Sequence, residues 1–117
     1  MAFDGPPRLT STMLVSALIR RVQASGGFAT VIHRGDDMGG AILVECAHRG
    51  QRHMLLERAT GLDGGDSWRI ADADVAADIN AHDQRIERRR SHDRDMWVIE
   101  LDIADAARIA AETIGVS

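Results

Sequence analysis

The chain of 117 residues has no lysine, no tyrosine, one cysteine, two prolines and only four aromatic side chains, two phenylalanines and two tryptophans. All fourteen basic residues are therefore arginines. Chemistry that needs a Schiff-base or proton-accepting lysine is excluded, because a guanidinium stays protonated. A single cysteine, Cys46, rules out an intramolecular disulfide and agrees with a reducing compartment. Four aromatics offer few platforms on which single-stranded nucleic acid could stack. Long apolar runs are missing too: "AILV" at 41 to 44 is far too short to cross a bilayer. The opening "MAFDGPPRLT" lacks the apolar stretch of a secretory signal. The expectation is a cytoplasmic chain without a membrane association.

The net charge is −4, so neither nucleic acid nor an anionic membrane is an expected partner. No G-x-S-x-G is present, and no glycine-rich stretch matches a phosphate-binding or dinucleotide-binding fingerprint. Serine hydrolysis and nucleotide binding by those routes have no support, and no cofactor is expected.

Apolar residues make up 44% of the chain and charged residues 27%, proportions of a folded protein with a real core. Residues 1–8, with Gly5, Pro6 and Pro7, read as a flexible tail, and 9–117 as a single domain. A first helix fits 11 to 25, capped by Ser11 or Thr12, with Leu14, Leu18 and Val22 on its apolar face and Gly26 and Gly27 at its stop. "FATVIH" (28–33) reads as a short strand. "GAILVECAH" (40–48) is apolar on both alternating faces, as a central strand covered on each side would be. "RHMLLER" (52–58) follows after a turn; a type II′ turn at Gly50 and Gln51 would set His48 against His53 and Cys46 against Leu55. A glycine-rich loop (60–66) leads to "SWRI", readable as an edge strand. A second helix fits 72 to 90 with Val75, Ile79, His82 and Ile86 on one stripe. "MWVIEL" (96–101) is the last strand, and a third helix fits 103 to 114 with Asp102 as cap. The fold class is α/β or α+β: one mixed sheet of about four to five strands with helices packed on it, in the order α-β-β-β-α-β-α.

Several pieces, "RL" at 8 and 9, "SALIRR" at 16–21, "GGFATVIHRGDDMGGAILV" at 26–44 and "RDMWVIEL" at 94–101, together resemble a bacterial family known as domain of unknown function 1491. The double arginine in the first helix, the "RGD" before a glycine-led strand and the late "WV" with an acid two places on carry the likeness. Residues 48–70 and the alanine-rich third helix depart from those pieces. The resemblance implies a compact cytoplasmic α/β protein with no assigned activity.

Four constellations remain. The arginine run at 85–94 complements the macrodipole of a helix that opens on Asp72, Asp74 and Asp78, and acids at 87, 93 and 95 dilute it as a phosphate patch. Cys46, His48 and His53 match no common zinc spacing, so no metal is expected there, and His82 reads as a core histidine bonded to a neighbour. The element order also resembles the core of restriction-endonuclease-like nucleases. On that reading Asp36 or Asp37, Glu45 and Glu57 would hold a divalent metal for phosphodiester hydrolysis. The lysine which that family places two residues after its third-strand acid is here Ala59. The last constellation is Arg20 and Arg21 at a helix end with Arg34, Asp36 and Asp37 on a loop, while Trp97 reads as core. It leads to the preferred reading: a binding or adaptor domain, not an enzyme, recognising a protein partner, or a second copy of the chain as a homodimer, through a charged loop and helix end.

Overall fold

The computed structural model describes residues 9–60 and 65–115; the expected tail at 1–8 and the tip of the glycine-rich loop at 61–64 lie outside them. Helix α1 (Ser11–Ala24) is followed by strands β1 (Phe28–His33), β2 (Ile42–His48), β3 (Gln51–Thr60) and β4 (Asp66–Asp72). A 3-10 turn (Val75–Asp78), α2 (Ile79–His92), β5 (Trp97–Asp102) and α3 (Ala106–Gly115) complete the fold. The five strands form one mixed sheet in the order β1-β5-β2-β3-β4. β5 runs parallel to β2, and every other neighbour is antiparallel. The apolar run of β2 is explained by its central place, since Ile42 to Ala47 are all buried.

α1 and α3 cover one face. Leu14, Leu18 and Val22 from α1 and Ile109 and Ala110 from α3 meet Ile42, Val44, Cys46, Trp97, Ile99 and Leu101 from the sheet. On the other face the cluster is smaller: Leu43, Leu55, Met96 and Val98 against Val75 and Ile86. Strand alternation sorts these residues, because neighbours along β2 and β5 point to opposite faces.

Element boundaries differ from the sequence reading where side chains are engaged elsewhere. α1 is capped by Thr10, whose hydroxyl accepts from Met13 N at 3.1 Å. Ser11 and Thr12 instead donate their hydroxyls to Gly40 O at 2.6 Å and to the Asp37 carboxylate at 3.2 Å. The second helix starts later than residue 72, because Asp72 ends β4 opposite Leu55, and Asp78 caps α2 by accepting from Ala81 N at 3.0 Å.

The β2–β3 turn is Arg49-Gly50 with φ of 54° and 80°, the left-handed pair of a type I′ turn. His48 therefore faces Gln51, and a bulge beyond Ala47 sets Cys46 against Met54, so the type II′ register does not form. Asp102 is no helix cap. Its carboxylate accepts from Arg49 N and Gly50 N, each at 2.8 Å, and clamps that turn, so α3 begins only at Ala106.

Candidate functional site

Residues 34–40 form a knuckle at the edge where β1 leaves the sheet and β2 enters it. Its backbone is fixed from several sides. Asp36 N donates to Asp95 O at 2.9 Å, and Ser11 N and Thr12 N donate to Met38 O and Asp37 O, each at 3.1 Å. The buried Trp97 indole donates to Asp36 O at 2.7 Å. The Asp36 carboxylate folds back to accept from Met38 N and Gly39 N, as an aspartate in a turn does.

In the sequence Gly39 and Gly40 read as turn glycines supplying φ > 0; the structure gives the knuckle's glycines a different cause. Neither Gly39 nor Gly40 adopts a positive φ among the described residues. A Cβ on Gly35 or Gly40 would instead collide with the backbone of Asp95. Close approach, not left-handed geometry, demands glycine at those two places. Nothing in the structure explains glycine at 39.

On this fixed backbone Arg34 and Asp37 form an exposed ion pair at 2.8 Å, with side chains 68% and 66% accessible. The Arg34 guanidinium also lies 5.2 Å from the centroid of the Trp97 ring, within range of a cation–π contact. Met38 of the knuckle and Met13 of α1 are exposed. Arg20 and Arg21 do not join this group. They lie toward the other end of α1, about 12 Å away along its axis at the rise of a helix, and Arg21 pairs with Glu112 of α3 at 3.0 Å.

A second polar constellation lies under α2. Glu45, in the buried centre of β2, meets His82 Nε2 at 2.8 Å and 3.0 Å, and both residues are almost fully enclosed. Arg52 donates to Glu45 at 3.1 Å and to both oxygens of Asp83 at 2.7 and 3.2 Å. That hydrogen bond to Arg52 holds the Asp83 carboxyl below the usual range, and Arg52 is raised chiefly by the same contact. Glu57 is held by Arg89 and Arg69; the Arg89 hydrogen bond is the largest cause that lowers its carboxyl. Arg85 pairs with Asp72 at 3.0 Å. The arginine run of α2 is thus partly spent on the sheet.

Glu45, His82 and Asp83 are the one group among the described residues whose ligand atoms, all within 4.8 Å of one another, could hold a metal ion. Their chemistry fits one poorly, because the Arg52 guanidinium already bonds both Glu45 and Asp83 and would have to leave. The four carboxylates of the phosphodiesterase reading do not converge: Asp36 and Asp37 are used in the knuckle, while Glu45 and Glu57 are each closed by cations under α2. Cys46 faces the apolar cluster, with its thiol pushed up to about 12 by burial and then by the Glu45 charge. His48 and His53 are exposed, so the three do not gather. His82 is the bonded core histidine its stripe predicts. Arg52 and Asp83 escaped the sequence reading, and the signal for them was Glu45 itself, an acid in a strand otherwise apolar on both faces.

Fold and constellations together define a small α+β protein with a five-stranded mixed sheet and helices on both sides. The model of the family described as "Protein of unknown function (DUF1491)" matches residues 9–111, and the chain belongs to that family. The match runs through 48–70 and most of α3, the segments in which the characteristic pieces were not evident. A crystal structure of a DUF1491 family protein from Caulobacter crescentus is similar at 33% identity and a TM-score of 0.73, over 86% of this chain and 94% of that one. The solution structure of protein Atu0922 from A. tumefaciens is 34% identical with a TM-score of 0.66, over 88% of this chain and 92% of that one. No curated protein matches. Among the described residues no helix is long and apolar enough to cross a membrane.

Proposed function

We propose that this chain is a protein-recognition module whose contact surface is the knuckle at Arg34, Asp36, Asp37 and Met38 together with Met13 of α1. The single observation that carries the reading is an exposed charge pair and exposed methionines mounted on a backbone immobilised on both sides. Association costs conformational freedom, and a loop already fixed by Trp97, Asp95 and the start of α1 loses little more on binding. Arginine supplies a planar fork for a carboxylate or carbonyl, and methionine adapts to an irregular apolar partner. The Arg34–Asp37 pair offers both signs of charge, so a partner of matching pattern is selected and a like-charged one repelled. The second copy of the chain and the helix end at Arg20 and Arg21 have less support, because those arginines sit apart from the knuckle and one is engaged by Glu112.

Affinity capture with the wild-type chain and with Arg34→Ala, Asp37→Ala and Met38→Ser variants tests the reading. A partner captured by the wild type and lost from Arg34→Ala and Met38→Ser, with the fold intact by amide NMR, is the expected result. Retention of every partner by all three variants would overturn it.

A further inference from the structure

The two faces of the sheet are covered unequally. α1 and α3 lie across one of them, whereas α2 engages β2, β3 and β4 through His82–Glu45, Asp83–Arg52, Arg89–Glu57 and Arg85–Asp72. On that second face β1 and β5 reach past the edge of α2. Strand alternation puts Phe28 and Thr30 of β1 there, paired with Asp102 and Glu100 of β5, and Ile32 is the extra residue of a bulge between Val31 and His33. Phe28 is 74% exposed and Ile32 45%, large apolar side chains on a face that a neighbouring element would normally cover.

Between this strip and α2 lies a pocket of about 140 Å³, partly aliphatic, lined by the carboxylates of Glu45, Asp83, Glu87 and Glu100 and by the basic groups of Arg52 and His33. Glu100 stands directly beside Glu45 in the parallel register. Like charges on neighbouring strands are destabilising unless a cation lies between them. Glu45 has Arg52 and His82, and Asp83 has Arg52. Among the described residues Glu87 pairs with His33 alone, at 3.6 Å. Half-buried Glu100 has no cation among the described residues, so the pocket holds more negative charge than those residues neutralise.

We infer that this open strip over β1 and β5 docks a basic amphipathic segment of a partner protein, with an arginine entering the pocket toward Glu100 and Glu87 and apolar side chains covering Phe28 and Ile32. The methylene stem of an arginine suits the aliphatic lining, and its planar fork suits two carboxylates. The pocket is too small for a drug-sized ligand, which needs roughly 300 Å³ or more. An acidic or purely apolar segment would leave Glu100 and Glu87 unmatched or repelled. The strip is separate from the knuckle, whose Arg34 lies over the Trp97 ring on the α1 side, so the inference stands or falls independently of the recognition surface proposed there.

The test is an amide NMR titration of the full chain with a synthetic amphipathic helix that carries arginines beside a leucine stripe, and with its twin bearing glutamate for arginine. The arginine peptide is expected to shift amides of 28–33, 83–88 and 97–102 and to spare α1 and α3. Glu100→Gln and Phe28→Ser each weaken binding about five- to tenfold. Asp105→Asn, which removes an exposed acid near the start of α3, changes it less than about twofold. The glutamate twin does not bind. Shifts scattered over the acidic surface, an effect of Asp105→Asn equal to that of Glu100→Gln, or no binding at all would overturn the inference. Shifts confined to residues 34–38 would also overturn it, while leaving the knuckle reading in place.

Discussion

The two faces of one sheet are held by different physics. Where α1 and α3 pack, the interface is mostly buried leucine, valine, isoleucine and Trp97, with one enclosed ion pair, Arg58–Asp66 at 2.7 Å, at its β3–β4 edge. Where α2 packs, a few apolar residues sit beside a ring of arginine–carboxylate pairs around the enclosed Glu45–His82 contact. Burial of apolar surface is non-directional and involves no titrating group. Paired charges are directional, and their partly exposed members respond to pH and salt. α2 is therefore the conditional element of the fold and α1 the unconditional one.

The largest expected effect lies on the apolar side. Leu18→Ala should cost about 2–5 kcal/mol in denaturant unfolding, with little dependence on salt, because Leu18 is fully buried and its cavity cannot refill. If that cost proved no larger than those on the α2 side, the comparison would break.

Next comes the buried acid. Glu45→Leu strands His82 and should cost about 3 kcal/mol, whereas Glu45→Leu with His82→Leu should recover most of the loss, since an apolar replacement of a whole buried pair is often neutral or better. A thermodynamic cycle on the two singles and the double sharpens the comparison by measuring how much of the α2 side rests on that contact.

Acid should act on the same side with a smaller effect. Glu57 and Asp83 both titrate below their ordinary carboxyl values because of Arg89 and Arg52. A depressed folded value means that their stabilisation is complete above about pH 4, near the unfolded values, and is lost as pH falls through the folded ones. Thermal midpoints followed from neutral to acid pH should fall below about pH 4, and Glu57→Gln should flatten that fall. A midpoint indifferent to acid in the wild type would contradict the assignment.

The smallest effect on stability belongs to the knuckle. Arg34→Ala removes an exposed ion pair and a cation–π contact and should cost only about 0.5–1 kcal/mol in chemical denaturation. A loss of several kcal/mol would mean that Arg34 is a structural residue and not a recognition residue.

Most of the fold was legible in the sequence because periodicity reports burial. β2 read as a two-faced strand, the stripe of Val75, Ile79, His82 and Ile86 read as a helix face, and Trp97 read as core. Boundaries were less legible, because side chains were claimed by distant partners: Ser11 by Gly40, Thr12 by Asp37 and Asp102 by the Arg49-Gly50 turn, contacts across long stretches of chain that no local pattern encodes. The knuckle was legible as a turn with surplus charge. Its glycines were misread because their cause is the backbone of Asp95, remote in sequence. Arg52 and Asp83 were invisible for the same reason, and the mismatch of Glu100 appears only once β5 is laid beside β2.

Native-state hydrogen exchange, resolved by residue and repeated at neutral pH and at about pH 3, below the unfolded carboxyl values, separates the two faces most directly. α2 amides should exchange through a partial opening of lower free energy, easier still in acid, while the protected amides of α1, β2 and β5 exchange only through global unfolding. Equal opening free energies for α1 and α2, unchanged between the two pH values, would contradict that expectation.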